Sequence, residues 1–367
     1  MRSFKWYHYL FPLFIFLSCQ TKSNHTALGN SETQDTTPKR EWVDPLFFIE
    51  GQLCQHVRKI YEDTHGNLWF GTNVYGLMRH NGDTLEYFNE DHGLGEGRIT
   101  GIVEDDVGNV WFGTASGLSK YEPLQNRESN LRFTNFAASE GLDEKEIWSL
   151  MIDKDGLFWV GTLNGVYQFD GRTFKSFELP KNTVTDTTTV PSFDRITAIL
   201  QDQAGGIWFG RDGFGITRLY QNNFEQYTRA NGLSDNSVRD LMEDRRGNVW
   251  IGTMLGGLTR WTQGDFTQYP FGRPIKGWEI GALFEDRQSQ IWLASENHGV
   301  YKYDSKSGSF EHFHTEQGLP TRGILSIYED RSGRYWMGGW GGLFRYFPEE
   351  EDAALRFMPV TVSGPWN

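Results

Sequence analysis

An Asp followed six residues later by a Trp occurs seven times in this chain, at Asp63/Trp69, Asp105/Trp111, Asp153/Trp159, Asp202/Trp208, Asp244/Trp250, Asp286/Trp292 and Asp330/Trp336. Successive Trp residues lie 42, 48, 49, 42, 42 and 44 positions apart. That period is too long for ankyrin or leucine-rich repeats and suits a unit of four short strands. A repeat array grows as one body, so 367 residues need not split into separate domains.

The copies align beyond these two residues. An aliphatic pair three apart precedes each Asp, as in Val57/Ile60 and Val238/Leu241, and marks a first strand, A. A Gly follows the Asp by three residues in six copies, with Ser289 in its place in the sixth copy of the seven. That spacing suits a type I turn closed by a residue at positive φ, with the Asp side chain bonded to the turn's own N–H groups. Strand B carries Trp-x-Gly, and the Gly leaves room for the bulk of a neighbouring sheet; Gly210-Arg211, Ala294-Ser295 and Gly338-Gly339 keep the small size but lose the following Thr. Strand C opens with Gly-Leu or a near equivalent, and strand D carries aromatics three apart, such as Phe224/Tyr227 and Phe266/Tyr269. Aromatics on opposite faces make sense only if both faces of the sheet are covered. The expected fold is all-β, a seven-bladed β-propeller of four-stranded antiparallel blades over residues 43–361, which also hides most strand edges.

Blade three carries an insertion that includes Asn182 to Val190. Two segments compete for the last strand of blade seven. Val43, Leu46 and Gly51 lie in the repeat's frame before Val57, while Phe357/Val360 resembles a D strand; the N-terminal segment is favoured, and residues 362–367 read as a tail.

The first eighteen residues read as an export signal. Arg2 and Lys5 precede an apolar run from Trp6 to Leu17, the length of a signal-peptide core and too short to span a bilayer. Phe16-Leu17-Ser18-Cys19 resembles the lipobox of bacterial lipoproteins, which implies lipidation of Cys19 and an anchor in the cell envelope, with the outer membrane preferred because Gln20 follows. Residues 19–42 are a polar tether with hardly an apolar residue. The formal charge is −13, and without residues 1–18 it is −15, from 33 Lys and Arg against 48 Asp and Glu. A body this acidic is repelled by nucleic acid and anionic lipid, so the membrane is expected to be met only through the lipid. Cys54 is the one Cys left besides Cys19, which excludes an intramolecular disulfide framework.

The core Glu-Asp-x-x-Gly-Asn-x-Trp-x-Gly-Thr, best seen at Glu243 to Thr253, resembles the two-component regulator propeller repeat found in periplasmic sensor regions of hybrid histidine kinases. In those sensors the propellers are usually paired and followed by an immunoglobulin-like domain, a membrane helix and a kinase. This sequence has no kinase His segment, nucleotide-binding glycine signature or second apolar span before Asn367. The resemblance therefore implies the sensor half alone, a ligand-binding propeller, often for glycans in the relatives. A weaker likeness is to the streptogramin lyase propellers, which use a His and Glu constellation on one face.

Residues needed only for a blade should recur in every blade, so departures around the channel mouth mark candidate sites. Before and at the A strands these are Arg98, Glu146, Trp148, Arg195, Arg239, Trp278, Glu279 and Arg322; in the B-to-C loops they are Tyr75, Arg211, Asp212, Phe214, Glu296, His298 and Trp340. Aromatics with Arg and carboxylates suit a carbohydrate, the rings stacking on a sugar face and the charges binding hydroxyls or a uronate. For an enzyme, Glu279, Glu296 and His298 are the acid–base set to nominate. The repeated Asp residues read as turn caps rather than calcium ligands, since Asp153-Lys154-Asp155-Gly156 lacks the further carboxylates of an EF-hand. His312 and His314 share a strand face but lack a third ligand. No metal or cofactor is expected. The reading is an envelope-anchored sensor that binds an oligosaccharide or an envelope protein without turnover, with a lyase or hydrolase, or a protein-docking scaffold, as the alternatives.

Overall fold

The turn Asp and the strand Trp fold as one unit. In the computed structural model, which describes residues 51–122, 131–181, 195–272 and 274–366, Asp244 Oδ1 accepts the N–H groups of Arg246 and Asn248 at 3.0 and 2.9 Å. Its Oδ2 accepts the Trp250 indole N–H at 2.8 Å. The Asp-to-indole bond recurs in every blade at 2.7–2.9 Å. Both oxygens of each Asp are thus used inside the blade, as caps. The turn Gly sits at positive φ, +79° at Gly247, and Ser289 adopts +61° in its place.

Seven four-stranded antiparallel sheets result, each in the order A-B-C-D. They comprise β1–β4 (57–88), β5–β8 (101–136), β9–β12 (147–177), β13–β16 (196–227), β17–β20 (238–269), β21–β24 (280–313) and β25–β28 (324–359). The seven repeat Trp residues are buried between blades. A Cβ added to Gly71, Gly113, Gly210 or Gly338 would lie 2.6–2.8 Å from Ile99, Ile147, Val238 or Val57 of the next blade. Strand-B glycine is therefore set by close approach.

The residue before the Asp joins neighbouring blades. Glu104, Gln201, Glu243, Glu285 and Glu329 accept the backbone N–H of Thr64, Lys154, Gln203, Arg245 and Arg287 in the preceding blade at 2.8–2.9 Å. Glu62 accepts from Arg331 at 2.7 Å and joins blade one to blade seven. Ile152 occupies this position in blade three and cannot accept such a bond.

Closure departs from the expectation that the N-terminal segment completes blade seven. The strand β28 (Phe357–Pro359) pairs with β27 (Gly342–Tyr346) as the fourth strand. The reason is the aromatic fill: Phe357 is buried with its ring 4.8 Å from Tyr346 and 5.8 Å from Phe313. The two ends do meet, through a bridge between Gln52 and Thr361. Trp366 continues this contact, stacked on the His80 ring at 4.0 Å and close to Phe70 and Trp336. The leader, Cys19, the tether, Val43 and Leu46, and the Asn182 to Val190 insertion lie outside the described residues. No helix among the described residues is long and apolar enough to cross a membrane.

Candidate functional site

The innermost strands slip register by one residue just after their first residue in six blades, for example between Val57 and Lys59 and between Val238 and Asp240. A bulge re-aims the extra side chain. Here it turns Arg58, Trp148, Thr197, Arg239, Gly281 and Leu325 onto the wall of one cavity, and Thr100 of blade two completes the ring of seven. The cavity measures about 360 Å³; Asn73, Arg195, Glu279, Glu296 and Trp340 frame it from the connecting loops, and Lys59 and Asp240 line it one residue further along their strands.

A charge network crosses the blades here. Arg98 and Arg195 place their guanidinium carbons 4.1 and 4.3 Å from the Trp148 ring centroid, while Arg98 pairs with Glu146 and Arg195 with Asp212. Arg239 bridges Asp212 at 2.9 Å and Glu279 at 3.1 Å. Burial pushes the Asp212 carboxyl up, but Arg239 and Arg195 outweigh it and hold the group below the usual range. Glu296 goes the other way, raised by burial and by the neighbouring Glu279. Burial together with Arg98 and Arg195 brings Arg58 down to about 10. Lys59 is lowered and Asp240 raised by burial, each partly offset by the charge of the other.

The sequence-derived residues separate into groups. Trp148, Arg195, Arg239, Glu279, Glu296 and Trp340 line the axial cavity, with Arg98 stacked behind Trp148. His298 and Arg322 line a second cavity of about 380 Å³ with Lys276, His312, His314 and Glu316. The nominated acid–base set is therefore divided between two cavities, and His298 Nδ1 lies 3.2 Å from the backbone oxygen of Glu296. Arg211 is buried and donates to the Pro180 carbonyl and the Thr217 hydroxyl, both at 3.2 Å, beside Phe214. Tyr75 packs against the core of blade one. Trp278 is 65% exposed and lines neither cavity. The Trp148 ring, which lines the cavity, is held by two guanidinium groups.

Arg58, Lys59, Asn73 and Asp240 escaped sequence reading. Lys59 and Asp240 carried a usable signal, since the equivalent residues in the other blades are Gly101, Ser149, Ala198, Ala282 and Ser326. Among the described residues no group of three or more His, Cys, Asp or Glu is placed to hold a metal ion.

A seven-bladed propeller with a charged axial cavity is the class these features define. Five segments, 51–74, 93–116, 141–164, 232–254 and 318–341, match the model of the two component regulator propeller family. They cover strands A and B of blades one, two, three, five and seven. The extracellular domain of a hybrid two component system from B. thetaiotaomicron has the same fold over 84% of this chain, at 21% identity and a TM-score of 0.62. Virginiamycin B lyase from Staphylococcus aureus, solved in a catalytically inactive form with quinupristin, aligns over 81% of this chain and 95% of its own at 13% identity and a TM-score of 0.60. PorZ, a surface component of the type-IX secretion system of Porphyromonas gingivalis, aligns over 79% of this chain and 46% of its own at 14% identity and a TM-score of 0.59. The chain spans 41% of the length of that sensor domain. No curated protein matches the sequence.

Proposed function

We propose that this chain is a ligand-binding sensor propeller of the cell envelope, exported and held by lipid at Cys19, and that a short oligosaccharide enters its axial cavity and leaves unchanged. The observation that carries the reading is the bulge in the innermost strands of six blades, which brings residues that differ from blade to blade, among them Arg58, Trp148 and Arg239, onto the wall of one cavity. A volume of about 360 Å³ lies at the small end of ligand pockets and fits one or two sugar units. The family match and the extracellular domain among the similar folds agree with a sensing role outside the cytoplasm. The separation of His298 from Glu279 and Glu296 favours binding over acid–base turnover.

A thermal-shift and calorimetric screen of oligosaccharides, with each mixture checked for new products by mass spectrometry, tests the proposal. A shift without products, abolished by Trp340→Ala and retained in Trp278→Ala, is expected. New products lost in Glu279→Gln would replace binding by catalysis. A screen with no shift at all would turn attention to an envelope protein as the partner, a reading that the secretion-system component among the similar folds keeps open.

A further inference from the structure

Most charges at the axial mouth are already matched. Arg98 is paired with Glu146, and Arg195, Asp212, Arg239 and Glu279 form a chain of alternating sign. Lys59 and Asp240 interact with each other. Two groups stand outside this scheme. Among the described residues, the Arg58 side chain makes one long hydrogen bond, from Nη1 to the neutral Asn73 side-chain oxygen at 3.4 Å. Glu296, on the B-to-C loop of blade six, makes no ion pair among the described residues. Both line the same cavity.

Arg58 belongs to blade one, where Arg98 of blade two is its neighbour, while Glu279 and Glu296 both belong to blade six. Arg58 and Glu296 therefore reach the cavity from different blades. A buried guanidinium beside two other guanidinium groups, with Glu279 as a counter-charge that is itself paired to Arg239, is incompletely compensated, and its planar fork matches a carboxylate in two parallel hydrogen bonds. Burial and the charges of Arg98 and Arg195 already weaken its hold on its proton, a cost that a bound anion removes. Glu296 asks for the opposite, a hydroxyl or ammonium donor, because burial and Glu279 disfavour its charged form and Arg239 offsets them only in part. Among the described residues, three buried donors beside the cavity, the Nε groups of Arg98 and Arg195 and the Trp148 indole N–H, have no hydrogen-bond acceptor.

We infer that the axial ligand is acidic: its carboxylate binds Arg58, and a hydroxyl or amino group on the same small molecule binds Glu296. Within the proposed sensing role this selects uronic and amino-sugar acids over neutral sugars, and it rests on the axial cavity being the binding site.

Calorimetry on the purified protein with D-galacturonate, its methyl ester and D-galactose tests the inference, with D-glucuronate and neuraminate as further carboxylates. At least one free acid is expected to bind about tenfold or more tightly than its neutral counterpart, the scale of one charge-assisted contact. Arg58→Met should erase that preference and Arg58→Lys retain part of it, while melting temperature and circular dichroism confirm that both variants fold. Glu296→Gln should weaken the acid without restoring the neutral sugar. Neutral sugars that bind as well as acids, with Trp340→Ala abolishing both, would leave the axial site standing and overturn the acidic ligand. Acid binding that survives Arg58→Met unchanged would also overturn it. No binding by any acid or neutral sugar would overturn both readings.

Discussion

The Asp244 carboxylate receives the Trp250 indole N–H at 2.8 Å while its other oxygen caps the turn between them. One side chain thus ties a hairpin to the core between blades. Asp244→Ala removes both and strands a buried indole donor, so a loss of about 2–4 kcal/mol is expected, the range for charged hydrogen bonds together with an unsatisfied buried group. Trp250→Phe should also destabilise, through lost packing and the loss of that one bond, but it leaves the turn capped. Urea denaturation followed by circular dichroism measures both.

Among the described residues, the Glu62 bond to the Arg331 N–H is the interblade Glu-to-turn bond that spans the two ends of the ring. Glu62 is buried, so Glu62→Ala leaves the Arg331 N–H without its acceptor at an expected cost of about 1–3 kcal/mol. Hydrogen exchange should show faster opening at blades one and seven than at blade four. Uniform exchange across the ring would contradict this.

The Asp212 carboxylate is held below its usual range because Arg195 and Arg239 more than offset the cost of its burial. Its contribution is present above the unfolded carboxylate value of about 3.9 and is lost as pH falls through the lower folded value. Asp212→Asn should lower the melting temperature at pH 7 and reduce the difference from wild type near pH 2–3. It should also weaken ligand binding, because Arg195 and Arg239 lose their shared anchor.

The His80 ring stacks on Trp366 and its Nδ1 accepts the Gly82 N–H at 3.3 Å, a role open only to the neutral ring. Burial and Arg334 lower its proton affinity. Stability should therefore be unaffected well above about pH 6.5, and fall as pH drops from that value toward the folded one, where the unfolded chain binds the proton first. Tryptophan fluorescence during acid titration should report Trp366, and His80→Phe should flatten that part of the curve.

The repeat made the blades legible because each obligation is local. A hairpin needs its Asp and its positive-φ residue within four positions, and strand B needs Gly where the next blade's aliphatic side chain arrives. Seven copies in phase then leave a closed ring as the arrangement that covers every sheet face. The site was half legible by the same logic: Trp148, Arg195, Arg239, Glu279, Glu296 and Trp340 stood out as departures from the repeat, and they meet at the axis. His298, Arg322, Tyr75, Arg211 and Trp278 departed equally and do not line that cavity, since spacing along a loop does not say which way a side chain turns.

Sequence alone determined the number of blades, their strands and their turns, because those interactions span fewer than ten residues or repeat at a fixed period. Tertiary structure decided what depends on contacts across the ring. It chose Phe357 over the N-terminal segment for the last strand, since only the assembled blade shows which side chain fills the space beside Tyr346 and Phe313. It used bulges to aim Arg58 into the cavity, and it paired charges of six blades while Arg58 and Glu296 make no ion pair among the described residues. Which charges remain unmatched is a property of the closed ring, fixed by distances between residues that lie up to hundreds of positions apart in the chain.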